Sequence, residues 1–172
     1  MCIRDSPSVE RGTTLGMSRT TDLPGGLEIR NLLAEDVTAV VEIENEAFTK
    51  PWRAETFCSM IDREGVELMV MVDKVDSVIG YAVLWCILDQ GELANLALVP
   101  ACRGSGLGAH LLSHVLDVSR DRDLKKLFLE VRASNTTAID LYARFGFKDA
   151  GVRLGYYESP REDARVMVLD IK

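Results

Sequence analysis

The stretch Val99-Pro100-Ala101-Cys102-Arg103-Gly104-Ser105-Gly106-Leu107-Gly108 joins an apolar segment at 92–99 to one at 106–121. In the second segment Leu107, Leu111, Leu112, Val115 and Val118 fall on one helical face, so the order is strand, glycine loop, helix. A glycine-rich turn that opens a helix leaves backbone N–H groups without carbonyl partners, next to the positive end of the helix dipole. That is a place for an anion. Glycine at 104, 106 and 108 removes the Cβ atoms that would keep a pyrophosphate from the main chain. The same residues also fit a glycine-rich turn with no ligand. Two familiar phosphate folds are excluded locally. No Lys-Ser/Thr follows the last glycine, as a P-loop requires. A dinucleotide fold places its loop after the first strand, whereas this loop lies past the middle of the chain.

Downstream, Leu127-Phe128-Leu129-Glu130-Val131 is a near-continuous apolar run of buried-strand type. A crossover to it from 92–99 through the helix makes the two strands parallel. Residues 135–144 read as a helix ended by Gly146, and 147–157 with 165–171 as a closing pair of strands. Upstream, 67–73 and 78–88 read as strands joined through Asp76-Ser77, and 53–63 as a short helix. Residues 35–48 carry Val37, Val40, Val41, Ile43 and Ala47 in helical spacing until Pro51-Trp52 breaks the pattern. A short alternating strand occupies 27–30. Residues 1–26 mix Ser, Pro, Gly, Thr and Arg without periodicity and read as a disordered leader, with Met17 a candidate start. The expectation is one α/β domain over 27–172, with a mixed, mostly antiparallel sheet flanked by helices and parallel only where strands 92–99 and 125–131 meet.

The 172 residues, 47% hydrophobic and 27% charged, suffice for one domain with a core. Twenty basic residues against 27 acidic ones give a net charge of −7, which leaves no field for a phosphate backbone and excludes nucleic acid as a direct partner. Cys2, Cys58, Cys86 and Cys102 show no C-x-x-C spacing and read as reduced structural thiols of a cytoplasmic protein. The longest apolar run, residues 81–88, is of strand length, so no membrane span is expected. His110 and His114, with Asp117 after them, read as a solvated helix face, and no metal is assigned. Asp36, Glu42, Glu44 and Glu46 read as a solvated acidic face too, with reception of a basic peptide beside Trp52 as the alternative.

Val99-Pro100 followed by Arg103-Gly104-Ser105-Gly106-Leu107-Gly108 resembles the acetyl-CoA signature of the GNAT N-acetyltransferases, a Gln/Arg-x-x-Gly-x-Gly/Ala loop after a strand end. Further segments narrow the resemblance. These are Asn95-Leu96-Ala97-Leu98, Leu129-Glu130-Val131-Arg132-Ala133-Ser134-Asn135, Ala138-Ile139-Asp140-Leu141-Tyr142, Gly146-Phe147, Tyr156-Tyr157 and Glu162-Asp163-Ala164, with Pro51-Trp52 also fitting. Together they are similar to the bacterial RimI type, which acetylates the N-terminal alanine of ribosomal protein S18. The resemblance runs from about Leu27 to Ile171. It implies the GNAT fold and acetyl-CoA as acetyl donor. The donor would be held by the main chain of Leu96, Ala97 and Leu98, by the loop residues Arg103, Gly104, Ser105, Gly106, Leu107, Gly108 and Ala109, and by Asn135. Asn135 is equally a good helix N-cap. Gly104 and Ser105 stand where RimI-like sequences carry bulky, often basic residues, and Ala109 where Arg is frequent. This departure weakens side-chain contacts to phosphate and leaves the backbone donors intact.

Direct transfer of acetyl to an amine needs a base for the amine proton, a donor for the oxyanion and an acid for the departing thiolate. Strand alternation sends Glu130 to the face opposite Leu129 and Val131. The resemblance makes Glu130 the base. Read alone, it is also a strand-end charge for Arg132 or Lys125, and Glu92 on the neighbouring strand is the rival base. Tyr142 is the acid by resemblance and a core tyrosine by periodicity. Trp52, Glu92, Tyr156 and Tyr157 are expected at the acceptor, although the tyrosine pair would also serve to pack a strand edge.

An α-amine titrates near ~7.7 and a lysine near ~10.4, so at neutral pH a lysine costs about 3–4 kcal/mol more to present as the neutral nucleophile. With the resemblance, this favours a protein N-terminus as acceptor. A GNAT enzyme of small-molecule amines and a non-catalytic acyl-CoA-binding sensor are the alternatives.

Overall fold

The computed structural model describes residues 20–172, so the expectations for residues 1–19, Met17 included, lie outside the described residues. Its elements run β1 (Thr21–Leu23), β2 (Leu27–Asn31), a 3₁₀ turn (Ala34–Asp36), α1 (Val37–Ala47), α2 (Ala54–Met60), β3 (Val66–Val72), β4 (Val78–Ile87) and β5 (Gln90–Leu98). A second 3₁₀ turn (Pro100–Cys102) leads to α3 (Leu107–Asp121), β6 (Lys126–Arg132), α4 (Thr136–Arg144), β7 (Lys148–Glu158) and β8 (Arg161–Asp170). The eight strands form one sheet in the order β1-β2-β3-β4-β5-β6-β8-β7, and only β5 and β6 pair in parallel. Strand 21–23 corrects the reading of the whole stretch 1–26 as leader. Thr21 pairs with Ile29 and Leu23 with Leu27, across a turn in which Gly25 (φ 84°) and Gly26 (φ 74°) supply the left-handed backbone.

The central strands are apolar on both faces because both faces are covered. On β3, Met69 and Met71 join the core under α3 and α4, built with Leu111, Leu112, Val115 and Ile139. Leu68, Val70 and Val72 alternate to the other side and meet Val37, Val40 and Ile43 of α1 and Phe57 and Met60 of α2. Helices thus flank a continuous sheet.

One irregularity shapes everything that follows. Parallel pairing of β5 with β6 extends only from Gln90↔Lys126 to Leu93↔Leu129, although β5 continues to Leu98 and β6 to Arg132. At that point the β4–β5 register slips between Val83↔Asn95 and Leu84↔Leu93. Ala94 is the extra residue of a bulge, which bends a strand away from its neighbour.

Three surface readings change. His114 is buried, with its Nδ1 2.9 Å from Thr21 Oγ1, because β1 covers that side of α3. Asp36 is buried and takes Arg30 in a two-pronged pair at 2.7 and 3.0 Å. Glu44 is 1% exposed, so the acidic face of the first helix is in part interior. Cys86 and Cys102 are free thiols, as expected, and Cys2 lies outside the described residues. Among the described residues no helix is long and apolar enough to cross a membrane, and no group of three or more His, Cys, Asp or Glu could hold a metal ion.

Candidate active site

β5 ends at Leu98, and the main chain then turns through Pro100–Cys102 into the glycine loop. Gly104 (φ 74°) and Gly106 (φ 85°) both hold left-handed backbone, and a Cβ on either would meet nothing within 4 Å. Glycine is therefore required there by conformation, and the space above it is open. Arg103 folds back, its Nε donating to Leu98 O at 3.1 Å, and Ser105 Oγ donates to Cys102 O at 2.5 Å. Among the described residues the N–H groups of Gly104, Ser105, Gly106, Leu107 and Gly108 donate to no backbone carbonyl, and the first to do so is Ala109, to Gly106 O at 3.0 Å. Five successive free donors at the start of a 15-residue helix make a seat for a phosphate or pyrophosphate. Gly108 differs from its neighbours. A Cβ there would lie 3.5 Å from Leu141 and 3.9 Å from Leu98, so this glycine faces the protein and not the anion, contrary to the sequence reading.

Beyond the bulge the parted strands enclose a cavity of about 590 Å³. Glu92 and Leu96 of β5, Glu130 of β6, Asn135 at the start of α4 and Tyr142 within it all line it, as do Trp52, Tyr156 and Tyr157. The cavity brings these eight residues together. Ala97 and Leu98 do not line it: their side chains are buried in opposite halves of the core, which leaves only their main chain to offer. Arg103, Gly104, Ser105, Gly106, Leu107, Gly108 and Ala109 lie outside it too, past the end of β5. The glycine loop and the cavity are thus two ends of one track laid along β5.

Glu92 is level with Phe128 in the parallel register, so Glu130, two residues on, shares its face of the sheet. Burial first, then the neighbouring Glu130, push the Glu92 carboxyl above its ordinary range, and Arg153 partly opposes them. Glu130 pairs with Arg153 at 2.9 Å, not with Arg132 or Lys125 as in the alternative reading. The Tyr156 hydroxyl also bonds Glu130, and this, more than its own burial, pushes the phenol up to about 12. Arg132 is turned the other way: its guanidinium reaches Glu162 at 3.1 Å and Thr49 at 3.0 Å and lies 4.1 Å over the Tyr157 ring. Burial pushes the Tyr157 phenol up as well. Tyr142, 8% exposed and packed on Phe147 with ring centroids 5.7 Å apart, is pushed up to about 12 chiefly by burial. It therefore keeps its proton at neutral pH, as a donor must. Asn135 caps α4, its Oδ1 accepting from Ala138 N at 3.2 Å, while still lining the cavity.

Several participants escaped the sequence reading. Trp85 of β4 stacks on Trp52 with centroids 5.9 Å apart and planes 6° from parallel. Lys50 pairs with Glu158 and Arg132 with Thr49, so two contacts join the segment after α1 to the β6 and β7 side of the opening. Glu44 accepts from Trp52 N at 2.9 Å, from Asn95 Nδ2 at 3.0 Å and from the Tyr81 hydroxyl. The signal for Glu44 was present, since it lies at helical spacing from Val37 and Val40 on the buried stripe.

The family model described as acetyltransferase (GNAT) family matches residues 37–147. The chain is similar to the ribosomal protein bS18-alanine N-acetyltransferase of Escherichia coli K12, at 37% identity over 146 residues, covering 83% of this chain and 97% of the relative. The enzyme of the same name from Salmonella typhimurium is 35% identical over 160 residues, covering 92% of this chain and 97% of that one. The crystal structure of the ribosomal-protein-S18-alanine N-acetyltransferase from Escherichia coli superposes with a TM-score of 0.78 at 36% identity, covering 85% of this chain and 94% of that chain.

Proposed function

The chain belongs to the GNAT family of acetyltransferases, and on that premise we propose that it transfers acetyl from acetyl-CoA to a protein N-terminal α-amine, with the alanine terminus of ribosomal protein S18 as acceptor. The observation that carries this reading is the opening between β5 and β6, which sets the carboxylates Glu92 and Glu130 and the protonated phenol of Tyr142 around one cavity. The choice of acceptor is supported by the relatives, which bear that activity in their names and are matched over nearly their whole length. A ribosomal acceptor also places the reaction in the cytoplasm.

GNAT acetyltransferases use acetyl-CoA, which supplies the acyl group as a thioester. The residues present fit such a donor. The five free N–H groups of Gly104, Ser105, Gly106, Leu107 and Gly108 would hold its pyrophosphate, and the main chain of Leu96, Ala97 and Leu98, free on its β6 side, would pair with its arm and donate to the oxyanion. Glu130, with Glu92 beside it, receives the acceptor ammonium and takes its proton, directly or through water. Tyr142 gives its proton to the leaving sulfur. Trp52, Tyr156 and Tyr157 wall the acceptor side. None of these steps requires a metal or a covalent enzyme intermediate.

Two peptides test this: one with the S18 N-terminus free, the other with that amine blocked and internal lysines free, each incubated with acetyl-CoA and read by mass spectrometry. Acetylation of the free-terminus peptide alone is expected. No reaction with either, given acetyl-CoA binding, overturns the acceptor assignment and points to small amines or a sensor.

A further inference from the structure

Glu44 is a carboxylate that the reaction above does not use, yet it is among the best-buried side chains of the molecule. Its two oxygens are divided. Oε1 accepts the backbone N–H of Trp52 at 2.9 Å, and Oε2 accepts Asn95 Nδ2 at 3.0 Å together with the Tyr81 hydroxyl. Three elements meet at this one group: the segment after α1, the central strand β4, and β5 directly after its bulge. Both Trp52 and Asn95 line the cavity. Burying a charge is costly unless donors surround it, so an interior carboxylate with a full set of donors fixes the geometry of whatever supplies them.

We infer that Glu44 is a positioning residue for the acceptor, holding the Trp52 wall of the cavity at a set distance from the point where β5 leaves β6. It touches no reacting atom. Its effect is on how well an acceptor is received, not on cofactor affinity or on the proton transfers. This rests on the reading of the cavity as the acceptor site, but the local claim can be read without any acceptor. Trp52 and Trp85 are the only two tryptophans in the sequence, and they stack on one another. Tryptophan fluorescence and the tryptophan bands of the near-ultraviolet circular dichroism therefore report on this wall.

The test compares Glu44→Gln with Tyr81→Phe. Glutamine keeps the volume but faces three donors with one acceptor, and its own N–H₂ confronts at least one of them. Phenylalanine at 81 removes a donor to Oε2 and leaves the Oε1 contact to Trp52 in place. Glu44→Gln is expected to raise KM for the free-terminus peptide about 10-fold or more, as loss of a hydrogen bond to a buried charge does. Turnover at saturation and acetyl-CoA affinity stay close to wild type, and the signal of the stacked tryptophans is lost. Tyr81→Phe is expected to lower the melting temperature while KM and the tryptophan signal hold. Should Glu44→Gln fail to fold, Glu44→Asp keeps the charge but is too short to reach Trp52 N, and is expected to raise KM in the same way. The inference is overturned if KM and the tryptophan signal are unchanged in the glutamate variants, or if Tyr81→Phe raises KM as much as they do, which would make the effect one of stability. If the wild-type protein acetylates no peptide, the tryptophan signal decides the local claim: loss in Glu44→Gln supports it, and retention overturns it.

Discussion

The two ends of the β5 track are built on different principles. At the glycine loop the functional groups are main-chain N–H donors from five consecutive residues, held by two left-handed glycines and the start of one helix. At the cavity they are side chains from α1, β4, β5, β6, α4 and β7, set by ion pairs, ring contacts and a buried carboxylate. A loop of the first kind tolerates side-chain change and fails through its backbone. A cavity of the second kind keeps its backbone and fails one side chain at a time.

The sharpest break in that contrast comes at Gly106. A β-branched residue cannot adopt its φ of 85° without strain, although a Cβ would find open space. Gly106→Val is expected to lower acetyl-CoA affinity about 100-fold or more while the circular dichroism of the fold is retained. Normal affinity by calorimetry would remove the loop from the donor site. Next in size is Tyr142→Phe, which keeps the packing on Phe147 and removes the proton. Turnover should drop about 100-fold at constant cofactor affinity, and full activity would leave Tyr142 a core residue only.

Smaller effects belong to pH. Glu92 sits above the ordinary carboxylate range because it is buried beside Glu130. Glu92 helps Glu130 receive the acceptor ammonium, and protonating it removes a negative charge from that pair, so kcat/KM is expected to fall as pH drops through the raised Glu92 value, above the range of a solvated glutamate. Arg153 lowers the Glu92 value. Arg153→Gln removes that cation and should move the acid limb upward. A limb that stays in place, or moves down, would detach Arg153 from the proton-accepting pair.

What could be read in the sequence divides along the same line. The glycine loop, its helix and the parallel strand after it were legible because they are consecutive, and the rules that govern them are local. Glu130 was placed on the correct face by alternation alone. Its partner was not, because Arg153 comes from β7, which reaches β6 only through the intervening β8. Trp85 sits in an apolar run and gave no sign that it would meet Trp52. The opening of the strands depends on a one-residue bulge at Ala94, and no residue there announces it. Strand β1 was hidden by its shortness, although Gly25-Gly26 marked its turn. Glu44 was misplaced because charge was weighed above helical phase.

The most direct test of the account is to measure turnover and acetyl-CoA affinity together in Glu130→Gln, with Glu92→Gln alongside. Acceptor-end chemistry separate from donor-end binding predicts that Glu130→Gln loses about 100-fold or more in turnover while acetyl-CoA affinity stays within about twofold of wild type. Turnover unchanged in Glu130→Gln and abolished in Glu92→Gln would contradict it, and would give the proton to β5.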